Sequence, residues 1–375
     1  MATAKEIAGL DCEAGALEGV RLVLRARLGE MYDLRAAALN WEDIEGVHGM
    51  RVASRRLRSA LKDFGDFVGG KGVAQKRLRE VAGVLGEVRD EDVAIAALEK
   101  VGAKAGTDVA AGLALLVDER RARREKAREK LKGIVAETPL AELQQKFLSR
   151  LDKAGTLDEK PGKRRGAARA VSFRQAGREV VLARLDDLQS LSDSLHHPFD
   201  VEPIHQMRIA AKRLRYAMEL FAPCWGGRLA PCADEVSEMQ AALGELHDCD
   251  IWIEDLGARL DRHRDEAANA DAEKSAAQAQ VRKAAVWLLH HFTKERGKHF
   301  RRALARWDKW ETTGFFERLA SFLNEAQTRK SDSPDVTRKG GAASDAPDGR
   351  TETTDAPDGR TETTSDPQQS PLGAP

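Results

Sequence analysis

The stretch VHGMRVASRRLRSALKDF at residues 47–64 recurs 157 positions later as IHQMRIAAKRLRYAMELF at residues 204–221, with 9 of 18 positions identical. Ordinary residue frequencies give about one identity by chance in such a window. The same offset carries ARLGEMYDL (26–34) onto ARLDDLQSL (183–191), and an offset of 158 carries LGEVRDEDV (85–93) onto LGELHDCDI (243–251). Three blocks that recur in order across nearly equal spacers are what duplication of a several-helix unit leaves behind. The chain has to build one supersecondary unit twice.

Each unit reads as four helices. Apolar residues recur at helical spacing over about 17–39, 48–68, 72–100 and 108–150, the last interrupted near Pro139, and again over about 172–195, 203–222, 230–262 and 272–326. Ala, Leu, Arg and Glu dominate and aromatics are only 5%, a mixture that loses little side-chain freedom in a helix. The expected fold is all-α: two four-helix bundles from an internal duplication, related by a pseudo-two-fold axis. Unit one spans about 15–152 and unit two about 171–326, joined by the Gly-rich and charged linker 153–170. Beyond 326 the chain becomes Pro, Gly, Ser, Thr and Asp, with DAPDGRTETT at 345–354 repeated identically at 355–364. Such a segment has no apolar period with which to bury a core, so 327–375 is expected to be a disordered tail.

The repeated helix carries its charge on one side. A helical residue advances about 100°, so His48, Arg51, Arg55, Arg58 and Lys62 fall in a stripe about 80° wide. Met50, Ala53, Leu57, Ala60, Leu61 and Phe64 occupy the opposite face, and no acidic residue lies between His48 and Lys62. The second copy repeats the stripe as His205, Arg208, Lys212 and Arg215 over Met207, Ala210, Leu214, Ala217, Met218 and Phe221, with Glu219 in the place of Lys62. Like charges three and four residues apart repel by a few tenths of a kcal/mol per pair. A helix that does this twice needs a partner: carboxylates on a neighbouring helix, or an external polyanion whose oxygens accept from the guanidinium forks. Charge spacing alone does not choose between them.

Further basic residues fall late in each unit. Arg121, Arg124 and Arg128, and Lys294, Lys298 and Arg301, can extend the same groove or form ordinary solvated helix faces, since Glu interleaves with them. Arg27 and Arg184 are the arginines of the repeated ARL block, where a salt bridge and a ligand contact are equally expected. Asp90 with Asp92, and Asp248 with Asp250, read as helix-break residues that cap and pair with neighbouring bases rather than as a metal site. Single or adjacent histidines lack the spacing of metal ligands, so no metal and no cofactor are expected. The four cysteines, Cys12, Cys224, Cys232 and Cys249, have no C-x-x-C spacing and read as buried thiols.

HGMRVASRRLR and HQMRIAAKRLR, each followed by its Leu-Gly block, resemble the CHAD family, the conserved histidine α-helical domain, over roughly residues 15–326. The resemblance implies two four-helix bundles about a pseudo-two-fold axis with a basic central groove. It implies binding of inorganic polyphosphate, with association with polyphosphate granules and their proteins. Carried over by position, the ligand residues are His48, Arg51, Arg55, Arg56 and Arg58, and His205, Arg208, Lys212, Arg213 and Arg215, to which the stripe adds Lys62. Glu219, and an acidic ADEVSEMQ (233–240) opposite the basic AQKRLREV (74–81), point to weaker binding by the second half.

The expected function is therefore non-catalytic: nothing supplies a nucleophile with an oriented base. A balance of 61 basic and 61 acidic residues, with few aromatics for stacking, counts against nucleic acid. The amino terminus lacks a basic start and a long apolar stretch, and no later apolar run approaches a membrane span, so a cytoplasmic protein at polyphosphate granules is expected. The two histidines are expected near each other across the pseudo-dyad, with both arginine rows facing one groove.

Overall fold

The computed structural model describes residues 7–68, 75–156, 171–266 and 272–325. Most of the linker, and the tail with its duplicated decamer, lie outside the described residues. Those described are helical throughout, with one isolated bridge between Gly15 and Ser172 and no strand among them. The first half holds α1 (Ala16–Asp33), the one-turn α2 (Arg35–Ala38), α3 (Ile44–Asp63), the one-turn α4 (Gly65–Val68), α5 (Gln75–Gly102), α6 (Thr107–Ile134) and α7 (Glu137–Thr156). The second holds α8 (Phe173–Gln189), α9 (Val201–Phe221), α10 (Ala230–Glu266), α11 (Ala272–Thr313) and α12 (Phe315–Glu325).

Local chemistry sets several of these ends. Asp43 caps α3 by accepting from the Glu45 amide at 2.9 Å, and Ser172 caps α8 by accepting from the Gln175 amide at 3.2 Å. Pro139 sits in the first turn of α7, where its missing amide hydrogen leaves no helix bond unmade, so the expected interruption of the 108–150 helix falls just before it. Gly314, at φ 61°, takes the left-handed conformation that closes α11 and starts α12.

The apolar faces read from the sequence form the main core. Met50, Leu57 and Phe64 of α3 and Met207, Leu214 and Phe221 of α9 are fully buried. Phe64, Phe173 and Phe221 form a ring cluster at its centre, with centroids 4.9 to 6.1 Å apart. Gly19 of α1 lies flat against Phe173, and Gly177 of α8 against Phe221; neither place leaves room for a Cβ. A second, smaller core lies at the far ends of the long hairpins, where Leu98, Leu113 and Leu116 of α5 and α6 meet Leu256, Leu288 and Phe292 of α10 and α11. None of the helices described is long and apolar enough to cross a membrane.

The starts of α1 and α8 pair reciprocally. Ala16 N–H donates to the Val171 carbonyl at 3.0 Å and Phe173 N–H to the Ala14 carbonyl at 2.9 Å. These are the two bonds that flank the antiparallel bridge between Gly15 and Ser172.

One expectation fails in this region. Cys12 and Cys224 are not buried thiols but a disulfide, with Cα atoms 5.3 Å apart. Their separation of 212 residues leaves no spacing signal; only the fold brings the amino-terminal segment beside the turn after α9. Arg174 reinforces the junction, donating to Glu13 Oε1 at 2.7 Å and to the Cys224 carbonyl. Cys249 is a buried thiol, as expected, whereas Cys232 is free but only half-buried.

Candidate functional site

The two motif helices bring individual cations of their basic stripes near one another. Lys212 of α9 has Arg55, Arg208, Arg51 and Arg213 as its charged neighbours, the nearest influence being Arg55, its own counterpart under the 157-residue offset. Arg51 and Arg208 likewise act on each other or on the opposite row. Cations of both rows therefore lie close enough around Arg55 and Lys212 to depress one another.

The repeated Leu-Gly blocks hold the central arginines. Arg51 donates to Asp90 Oδ1 at 2.8 Å and its guanidinium runs past Gly86; Arg208 runs past Gly244, with Asp248 as its closest opposite charge. The glycine leaves a smooth wall for the arginine stem, and the aspartate four residues on, one turn along the same face, orients the head. The second aspartates pair outward, Asp92 with Arg124 at 3.5 Å and Asp250 with Arg296 at 2.5 Å. These aspartates do not mark a helix break: α5 and α10 run uninterrupted through both blocks. Their helix-breaking propensity, a few tenths of a kcal/mol per residue, is overridden by tertiary ion pairs. No group of three or more metal-ligating side chains gathers among the described residues.

Several expected ligand residues are occupied by the chain's own carboxylates. Arg27 donates to Glu30 at 2.8 Å. Arg56 is buried between Glu30 at 3.6 Å and Glu219 at 3.8 Å. Arg215 is buried against Glu219 and donates to Gln240 Oε1 at 2.8 Å. Arg184 binds Asp63 and Asp187, each at 2.7 Å. Arg121 pairs with Glu99 at 2.9 Å and Asp118 at 3.2 Å, Arg128 with Glu125 at 2.9 Å while lying 5.0 Å over Trp41, and Lys298 with Glu295 at 2.5 Å. Lys294 and Arg301 are exposed on α11.

The remaining cations have no such partner. Among the described residues, no carboxylate comes within ion-pairing distance of Arg55, Arg58, Lys62, Arg208, Lys212 or Arg213, nor of Arg89, which sequence reasoning passed over. Arg89 acts on His48 and Arg51. Its place in the second Leu-Gly block is taken by His247, whose Nδ1 lies 3.2 Å from His205 Nδ1. The repeated block was the available signal: the residue before its first Asp faces the motif histidine in both copies.

Packing cations without counterions raises the cost of charging them. Burial, then Arg55 and the other arginines, brings the Lys212 ammonium down to about 7. Burial followed by Arg208, His205 and Lys212 depresses His247 to about 4. His48 is lowered by burial and Arg89, His205 by burial and Arg208. Neither motif histidine is among the charged groups acting on the other. Each instead has a residue of its own Leu-Gly helix beside it, Arg89 of α5 acting on His48 and His247 of α10 lying against His205.

The CHAD domain family model matches residues 22–256, a span that includes both motif helices and both Leu-Gly blocks. No curated protein matches the chain. Among solved structures, the crystal structure of the CHAD domain from the plant Ricinus communis is similar at a TM-score of 0.58, covering 80% of this chain and 96% of that one at 20% identity. PptA from Streptomyces chartreusis is similar at a TM-score of 0.53, covering 79% of this chain and 100% of that one, also at 20% identity. Structural likeness at this identity speaks for the fold, and the family match, over more than half the chain, speaks for descent: the protein belongs to the CHAD family.

Proposed function

We propose that the protein is a non-catalytic module that binds inorganic polyphosphate in the groove between α3 and α9. The observation that carries this reading is the set of cations that the fold brings together and leaves without carboxylates. A protein that satisfies Arg27, Arg56, Arg184 and Arg215 with internal ion pairs, yet leaves Arg55, Arg208 and Lys212 facing one another, holds repulsion that an anion relieves. Several phosphates in one chain satisfy several cations at once, each a charge-assisted contact and jointly multivalent. The ligand set proposed is His48, Arg51, Arg55, Arg58, Lys62 and Arg89 from the first unit with His205, Arg208, Lys212 and Arg213 from the second. Arg56 and Arg215 are left out of it because both are buried as well as ion-paired, whereas Arg51, paired with Asp90, keeps a partly exposed guanidinium. Recruitment to polyphosphate granules and to proteins there follows from this reading as its cellular consequence.

Calorimetric titration decides between polyphosphate and nucleic acid. Long-chain polyphosphate is expected to bind with an affinity that rises with chain length and falls with salt, as counterion release requires. Duplex DNA or RNA at equal phosphate concentration is expected to displace it poorly. Displacement on equal terms, or no binding of polyphosphate, would overturn the proposal.

A further inference from the structure

A cleft of about 510 Å³ opens between the start of α5 and the middle of α7. Its walls carry Lys76, Arg77, Arg79, Lys146 and Arg150 against only Glu80 and Glu142. Arg77 is matched by Glu80 at 2.7 Å and Lys146 by Glu142 at 3.2 Å. Three cations remain: among the described residues Lys76 and Arg150 have no carboxylate within ion-pairing distance, and Arg79 bonds the Gln75 carbonyl at 3.3 Å through Nε alone. The cleft is not isolated from the groove, because Arg79 acts directly on Arg58, which acts in turn on Arg55. Arg58 is thus the cation that feels both Arg55 of the groove and Arg79 of the cleft.

Resting on the reading above, we infer that this cleft is a second phosphate-binding subsite, which takes the part of a long polyphosphate chain that leaves the groove past Arg58. A ligand short enough to sit between α3 and α9 has no use for it; a long one gains contacts there without any rearrangement of the fold. The corresponding stretch in the second unit is acidic, with Asp234, Glu235 and Glu238 of α10 in the places of Gln75, Lys76 and Arg79 when 74–81 is paired with 233–240. The track therefore has a direction, continuing from one mouth only.

The test compares tripolyphosphate and long-chain polyphosphate on the full chain carrying Lys76→Ala, Arg79→Ala and Arg150→Ala together. All three side chains are exposed, so the melting temperature is expected to stay at the wild-type value. Affinity for the long chain should fall about tenfold, and the slope of its logarithm against log salt should become shallower by about two, at roughly 0.7 per lost phosphate contact. Tripolyphosphate affinity should not change. Unchanged long-chain affinity and slope, in a protein whose Arg55→Ala/Lys212→Ala variant still loses binding, would overturn the cleft while leaving the groove. An equal loss for tripolyphosphate would overturn it too, by showing that the three residues act on the groove itself. Failure of the unsubstituted protein to bind long-chain polyphosphate would remove the groove reading, and this inference with it.

Discussion

Replacing Arg55, Arg208 and Lys212 together by methionine is expected to weaken long-chain polyphosphate binding by a hundredfold or more and, at the same time, to raise the melting temperature of the ligand-free protein. The first effect follows from three lost charge-assisted contacts at about 1 kcal/mol or more each, against about 1.4 kcal/mol per tenfold in affinity. The second follows because no carboxylate lies within ion-pairing distance of the three side chains, Asp248 being the closest opposite charge to Arg208: methionine keeps the apolar stem and removes the repulsion. Lys212 fixes the pH window. Its ammonium titrates near 7 in the fold against an ordinary 10.5, so between those values the unfolded chain binds the extra proton and stability rises with pH. The destabilisation, on the order of a few kcal/mol, is fully present below about pH 7 and gone above the ordinary lysine range. The gap in melting temperature between variant and wild type is therefore expected to be largest at or below pH 7 and to narrow toward pH 10. Differential scanning calorimetry across that range measures it; a variant less stable than wild type at pH 7 would show that the cations support the fold instead of straining it.

Glu30→Ala is expected to have the opposite signature. Glu30 is buried and accepts from Arg27 at 2.8 Å while lying 3.6 Å from Arg56, both of them buried as well. Removing it strands two guanidinium groups away from water, a change that costs about 3 to 5 kcal/mol when one member of a buried ion pair is lost. Urea unfolding should show a lower midpoint with an unchanged slope. A loss below about 1 kcal/mol, the range of exposed ion pairs, would contradict the structural assignment of Arg27 and Arg56. By the same logic Arg215→Ala reports on the fold, through Glu219 and Gln240, and says little about the ligand.

The helices and their inner faces were legible because they depend on local pattern. Each apolar position chosen on α3 and α9 is buried, and the capping aspartate before α3 stands in the sequence. The basic stripe was legible for a related reason: four like charges and a histidine on one side of a helix admit few uses. What a single-helix projection cannot see is the charge on the helix opposite. Arg56 and Arg213 are counterparts, yet Arg56 meets Glu30 and Glu219 while Arg213 meets Lys62 and Lys212. Arg27 and Arg184 share a block, and both turned out to be matched, because Glu30 and Asp187 each stand three residues on. The Cys12–Cys224 bond was illegible for the plainest reason, since no local signal spans 212 residues. Arg89 and His247 stand at one position of the repeated block, but the residue type changes between the copies, so no repeated charge marks it.

Lysine labelling by an amine-reactive reagent at pH 7, read residue by residue by mass spectrometry, tests the central claim most directly. With its ammonium brought down to about 7, Lys212 is about half neutral amine at that pH, whereas an ordinary lysine is almost wholly charged. It should be among the fastest-labelled lysines of the ligand-free protein, and saturating long-chain polyphosphate should protect it while leaving lysines such as Lys283, paired with Asp108 beside the second core, unchanged. A Lys212 that labels like the surface lysines, or that stays reactive under saturating polyphosphate, would contradict the groove as the place where the polyanion is held.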